Sequence, residues 1–375
     1  MNKKILIIIT SIIALIIVIT ISLYIANESV RNWMDIYILR KEIIEENLPT
    51  ISLDNENSNI YAYDNHIVIL RDNKLVIYNS SGKEETTINV SITTPLFKSC
   101  GKYLLVGDKN NKNLYLIYNT SLQWQKTMEG NISKIAVNKN GAVGVVLTGT
   151  TYKSVITMYG ITGEEEFKTY LSSTIAVDIA ISEDSKYLSF AEINTSGTII
   201  TSTIKTISVE KAKTTPAEAI IYKYEQEPNG LVVNIQYNKQ NLVCQYDNSI
   251  YLLKEGNSEK ILDIDDKIIF IDINLTEYIC EVIETSSSIL SSQYELKIIN
   301  IENKKENSYL LESMPKSLYC KNDIIAVNMG NEIDFINHNG WLQKSFTSKQ
   351  SFKNVILGNN VAAIVYKDRV EIINL

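Results

Sequence analysis

The order of hydrophobic and polar residues divides the chain into three regimes. The first is an unbroken apolar run, Ile5–Ile25, which carries no charge. At about 1.5 Å per residue it makes roughly 31 Å of helix, the thickness of a bilayer's hydrocarbon core. The second covers 26–47. Here Val30, Met34, Tyr37, Ile44 and Leu48 recur at helical spacings, and Trp33, Ile36 and Ile43 widen the stripe. No Gly or Pro interrupts it, and Pro49 supplies a stop, so the segment is predicted to be a helical stalk. From Leu48 onward helical periodicity disappears. Short apolar runs alternate with polar residues and are cut by turn residues every 8–12 positions, the pattern of an antiparallel β protein.

The β region repeats. An apolar strand ending in Asn and followed by a turn recurs as LVIYN (75–79), LYLIYN (114–119), ELKIIN (295–300), EIDFIN (332–337) and VEIIN (370–374), with ITMYG (156–160) as a weaker copy. Asn at the start of a tight turn bonds its own backbone two residues on, and Gly takes the left-handed position that follows. Each copy therefore reads as a hairpin. A second run stands upstream: HIVIL, KYLLVGD, KYLSFAE, LVCQYD, EYICEV, DIIAVN and VAAIVY. Units begin near Ile60, Thr94, Asn131, Thr174, Pro228, Lys267, Met314 and Ser351, at spacings of 34 to 54 residues. Four strands per unit, repeated around a ring, make a β-propeller. The longest unit is expected to carry an extra loop over 194–218.

The unit from Ser351 holds only three strands, FKNVIL, VAAIVY and VEIIN, while LPTISLD (48–54) precedes the first unit and belongs to none. Pairing LPTISLD beside VEIIN completes the last blade and leaves no loose join. The expected fold is all-β: an eight-bladed propeller, or seven-bladed if the degenerate stretch 174–227 is miscounted. The expected organisation is a basic tail at 1–4, a transmembrane helix at 5–25, a helical stalk at 26–47 and the propeller at 48–375.

The blade pattern, (apolar)-Asn-x-x-Gly before a strand that can begin with Trp (NTSLQWQKT, NHNGWLQKS), resembles pyrroloquinoline-quinone-type propellers. The whole layout is similar to a family of uncharacterised bacterial membrane proteins with one N-terminal span and a quinoprotein-like propeller. The segments LRKEIIEENLPTI (39–51) and GKYLLVGDKNNKNLYLIYN (101–119) carry that resemblance. It implies a fold and no particular chemistry.

Residues suited to chemistry are few. The two histidines, His66 and His338, lie in the first and seventh units and read as exposed turn residues. The four cysteines, Cys100, Cys244, Cys280 and Cys320, form no CxxC. Their equivalent positions on blades some 10 Å apart argue for free thiols. ILDIDDK, with Asp263, Asp265 and Asp266, and the loop Asp108–Asn113 read as solvated turns rather than metal sites. The three Trp (Trp33, Trp124, Trp341) bring no quinone ligand set with them. No catalytic, cofactor or metal residues are assigned, and a net charge of −7 argues against nucleic acid as a partner.

The remaining candidates are surfaces. Ile5, Ile12, Leu15, Val18, Leu23 and Ile25 are expected to face lipid, and Val30, Trp33, Met34, Tyr37 and Ile44 to form the stalk's contact face. That face packs on the propeller, pairs with a second stalk, or lies along the membrane. A cleaved signal peptide competes with the anchor, but its apolar region is normally shorter, about 7–15 residues. Lys3 and Lys4 before the span favour a cytoplasmic N-terminus and an extracytoplasmic propeller at the cell membrane. The expected function is a non-enzymatic protein-interaction scaffold at the bacterial envelope, with another envelope protein as partner. The alternatives are a glycan or small-ligand sensor and a polysaccharide-active enzyme.

Overall fold

The computed structural model describes residues 3–26, 30, 34, 48–54, 58–225, 230–287 and 292–375. Helix α1 spans Lys3–Ala26, with side chains described from Ile13 onward. Val30 and Met34 are helical and half-buried. Trp33, Tyr37 and Ile44 lie outside the described residues.

Eight four-stranded antiparallel sheets follow. Blades 1 to 7 occupy 59–89, 95–127, 131–171, 175–225, 232–263, 268–311 and 317–347, each with its strands in sequence order. We letter these strands a to d from the ring axis outward. The a strands of blades 1 to 5 touch in succession, as do those of blades 6, 7, 8 and 1. The stretch 174–227 is a full blade, which excludes seven. We call the end where the a strands begin the upper face. It carries the b–c turns and the links between blades; the lower face carries the a–b and c–d turns.

Blade 8 is built from both ends of the chain. Asn354–Leu357, Val361–Val365 and Arg369–Asn374 are its a, b and c strands, and Thr50–Ser52 is its d strand. Thr50 pairs with Glu371, Ile51 with Val370 and Ser52 with Arg369. Two further backbone bonds extend the pairing, Leu53 N to Asp368 O at 2.8 Å and Ile372 N to Pro49 O at 2.9 Å. Ile51 is 4% exposed and packs among Val370, Ile372, Ile67 and Ile69, so the closing strand also joins blade 8 to blade 1.

Blade faces explain the sequence pattern. The b and c strands are covered on both sides by neighbouring blades, so Tyr103–Asp108 and Ser154–Tyr159 are buried at every residue and read as continuous apolar runs. Outer d strands such as Asn257–Asp263 are largely exposed. The core is correspondingly divided into eight clusters, one per interface between blades. Approach is closest where side chains vanish: a Cβ on Gly144 would meet Ile179 Cδ1 of the next blade at 2.9 Å.

The expected turn chemistry is present. Asn79 Oδ1 accepts from Ser81 N at 3.0 Å and Lys83 N at 3.1 Å, and Gly82 follows at φ +74. Asn337 Oδ1 accepts from Asn339 N and Trp341 N at 3.0 and 3.1 Å, with Gly340 at φ +77. The insertion expected over 194–218 needs correction. Thr201–Ser208, in its middle, is the c strand of blade 4. The added material is a short helix, α2 (Val209–Thr214), and a 3₁₀ turn (Pro216–Glu218) between c and d. The Ser/Thr-rich composition hid a strand whose Ile204 and Ile207 are fully buried.

Truncating Ile51 to Ala is expected to destabilise the whole ring by about 2–4 kcal/mol, because the cavity opens at the seam. Urea denaturation followed by tyrosine fluorescence measures it; an unchanged midpoint would refute the seam's role.

Candidate functional site

The residues singled out for chemistry do not converge. His66 is half-buried rather than exposed: its ring stacks on Tyr63 at 5.3 Å and its Nε2 lies 3.1 Å from Glu85 Oε2. His338 is likewise half-buried, stacked on Tyr278 at 5.0 Å. A neighbouring Tyr at the blade rim shields each ring. Asp263 pairs with Lys260 at 2.8 Å and Asp265 Oδ1 accepts from Lys267 N at 3.0 Å, as a solvated turn requires. Asp108 fastens the link into blade 2, accepting from Thr93 N and Thr94 N at 3.0 and 2.8 Å. Among the described residues no group of three or more His, Cys, Asp or Glu could hold a metal ion.

All four cysteines are free. Sequence spacing missed one relation among them. Cys280 on strand b of blade 6 and Cys320 on strand a of blade 7 share one buried cluster, and burial beside the Cys280 thiol pushes the Cys320 thiol well up.

The polar lumen was also missed. The a–b pairings of blades 3 to 6 slip by one residue at Ile132/Lys134, Ala176/Asp178, Val232/Asn234 and Ile268/Phe270. A bulge of this kind re-aims the side chain that follows it. Asp178 Oδ2 then accepts from Ile235 N of blade 5 at 2.8 Å, and Asp272 Oδ2 from Cys320 N of blade 7 at 2.9 Å. Burial raises both carboxyls, opposed first by the Ile235 N–H at Asp178 and by the Asn274 N–H, then that of Cys320, at Asp272; Lys98 lies in the field of both, and Lys134 in that of Asp178. Lys321, at the end of strand a in blade 7, reaches past blade 8. Its Nζ donates to Ala62 O of blade 1 at 2.8 Å and Ser99 Oγ of blade 2 at 3.2 Å, and sits 5.4 Å from the Tyr61 ring centroid. Burial pulls its pKa down to about 8. These groups tie blades together; the aspartates are engaged as backbone acceptors.

The upper face carries an exposed apolar patch. Ile199 and Ile200, in the b–c turn of blade 4, are 64% and 48% exposed, and Val233, at the start of blade 5, is 53% exposed. Leu231 is exposed beside it. Ser202 Oγ accepts from Val232 N at 3.1 Å, which holds the two segments together. In blade 3, Tyr152 and Tyr170 stand on the same face, exposed, with ring centroids 4.7 Å apart.

Four antiparallel strands per blade, eight blades and a strand-exchanged seam define the protein as an eight-bladed β-propeller. Residues 44–375 match the model of a family of unknown function, DUF5711, and the chain belongs to that family. No curated protein matches the sequence. Among solved structures, the chain is similar to BamB from Moraxella catarrhalis, with a TM-score of 0.52 and 12% identity over 88% of this chain and 99% of that one. It is similar to the C-terminal WD40 domain of Sif2, with a TM-score of 0.60 and 11% identity over 89% and 99%. It also resembles Chaetomium thermophilum Sqt1 bound to the N-terminus of ribosomal protein L10, at 0.52 and 11% over 88% and 100%. At these identities the likeness is one of fold.

Substitutions at two positions test the lumen. Asp178→Ala should cost about 1–3 kcal/mol by orphaning Ile235 N–H, whereas Asp178→Asn, which keeps an acceptor, should cost little. Lys321 is held at about 8 against an ordinary 10.5, so its folded-state penalty is full below pH 8 and relieved as pH climbs toward 10.5. Lys321→Met should therefore gain at most roughly 3 kcal/mol over the parent at pH 7, and the gain should shrink at pH 9 and above. Denaturation midpoints of both proteins across pH decide it; a gap that widens with pH would contradict the burial argument.

Proposed function

We propose that this propeller is a membrane-anchored, extracytoplasmic scaffold that binds another protein of the bacterial envelope, without catalysis, through its upper face. The apolar patch of Ile199, Ile200, Leu231 and Val233 carries the proposal. Exposed large apolar side chains grouped on one face of a rigid ring mark interaction surfaces. The engaged state of Asp178 and Asp272 supports a non-enzymatic role, since neither carboxylate is free for acid–base work. Sqt1, similar in fold, is a propeller bound to a protein segment. The quinoprotein-type resemblance extends to blade turns and supports no cofactor.

The anchor reading rests on composition. Residues 5–25 carry no charge, and Leu15, Val18, Leu23 and Ile25 are exposed on α1. Among the residues with described side chains, no helix is long and apolar enough to cross a membrane; those of α1 begin at Ile13. Chain direction adds an argument. Thr50–Ser52 runs antiparallel to Arg369–Asn374, so this strand starts at the lower face of blade 8. The patch lies on the opposite face.

Crosslinking in cells followed by purification should recover a defined envelope protein with the parent, and at least tenfold less with Ile200→Asp/Val233→Asp at equal expression, since buried charge in an apolar contact is strongly unfavourable. Equal recovery would remove the patch from the function. Ser196→Cys, in the exposed turn of blade 4, should react with a membrane-impermeant maleimide on intact cells; labelling only after lysis would reverse the topology.

A further inference from the structure

A cavity of about 480 Å³ opens on the lower face between blades 4 and 5. Four tyrosines line it: Tyr187 and Tyr222 and Tyr224 from blade 4, and Tyr237 from strand a of blade 5. Two are fixed by their hydroxyls. Tyr237 Oη pairs with Ser189 Oγ at 2.8 Å, and Tyr224 Oη accepts from Gly256 N at 3.1 Å. Tyr222 stands beside Tyr224, ring centroids 6.3 Å apart. Two of the four tyrosine walls are thus set before any ligand arrives, which lowers the entropic cost of binding.

The polar lining is mixed in sign. Asp184, Glu255 and Glu302 face Lys239 and Lys254. Asp184 already pairs with Lys186 at 3.2 Å, Lys239 with Glu277, and Glu302 accepts from Asn241 Nδ2 at 2.9 Å. A site with nearly balanced charges, three of them already engaged, has little net field to select an ion. It does offer acceptors (carboxylates), donors (ammonium groups) and groups that are both, in the amides of Gln240 and Asn241 and the tyrosine hydroxyls. The ligand that matches apolar ring faces together with interleaved donors and acceptors is neutral and polyhydroxylated. Its hydroxyls donate and accept in turn, and its C–H faces lie flat on aromatic rings.

We infer that the groove between blades 4 and 5 is a carbohydrate-binding site for a short neutral glycan. The volume suits two or three sugar rings within the ordinary range of ligand cavities, about 300–1,000 Å³. This site is independent of the upper-face patch, on the opposite end of the ring, so either can fail without the other.

The test uses the full chain in lipid nanodiscs, free of sugar-based detergent, with cellotetraose, chitotetraose and maltotetraose as probes. Saturation-transfer NMR and titration of tyrosine fluorescence should show at least one probe binding with a Kd below about 1 mM. Tyr222→Ala and Gln240→Ala should each weaken that probe by roughly tenfold or more, with Tyr170→Ala on the upper face leaving it unchanged. Gln240→Ala removes a turn side chain and keeps the test valid if the tyrosine variant is unstable. No binding by any of the three probes overturns the inference. Binding indifferent to both groove variants does so too, as does preferential binding of tetralysine at the same site.

Discussion

A ring of sheets has to be shut somewhere, and here it is shut by three residues of one strand. Thr50, Ile51 and Ser52 pair with Glu371, Val370 and Arg369, so the last blade exists only when the two ends of the domain meet. Without that strand, Arg369–Asn374 would be an unpaired edge, and the interface between blades 8 and 1 would lose Ile51 from its core. Each interface is a separate apolar cluster. The stability of any one of them therefore depends on its two neighbours being held at the right angle, and closure supplies that constraint for all eight. The similarity between the beginning and the end of the domain follows directly: both are parts of neighbouring turns in one circular pattern.

The lumen solves a problem that closure creates. Where eight a strands converge, their backbone groups face one another across a narrow space and cannot all be covered by apolar side chains. Asp178 and Asp272 each reach to the backbone N–H of the following blade, while Lys321 crosses to carbonyl and hydroxyl acceptors of blades 1 and 2. Burial opposes the charged form in every case, raising the carboxyls and lowering the amine. The lumen accepts that cost in exchange for satisfied hydrogen bonds between blades.

Local rules made much of this readable in advance. The Asn that starts the c–d turns of blades 1, 2, 6 and 7, and the Gly that follows it in blades 1 and 7, are local signals, and so are the unbroken apolar b and c strands; together they placed the eight blade starts within a few residues. The seam was readable because one blade was a strand short and one strand was spare. What escaped depends on residues far apart in sequence. The bonds of Lys321 to Ala62 and Ser99, and the neighbourhood of Cys280 and Cys320, follow from how the ring brings distant blades together, which no single segment announces. The c strand of blade 4 escaped for a different reason. In TSTIKTIS the alternation is kept, but the small hydroxyl residues Ser202 and Thr206 take buried positions and imitate a loop.

The same separation bears on function. Closure and lumen engage Asp178, Asp272 and Lys321 between blades, leaving the two rims for recognition, and the rims differ in kind. Above, Ile199, Ile200, Leu231 and Val233 offer apolar area without fixed polar partners, which suits a surface that becomes dry on contact with a folded partner. Below, the tyrosines between blades 4 and 5 stand in a groove whose charges nearly balance, which suits a ligand recognised by shape and by many modest hydrogen bonds. Blades 4 and 5 contribute to both rims, and blade 4 is the one lengthened by α2. An insertion between its c and d strands leaves the ring unbroken, because strand order within the sheet is preserved, and this blade can vary its surface while the seam at blade 8 stays fixed.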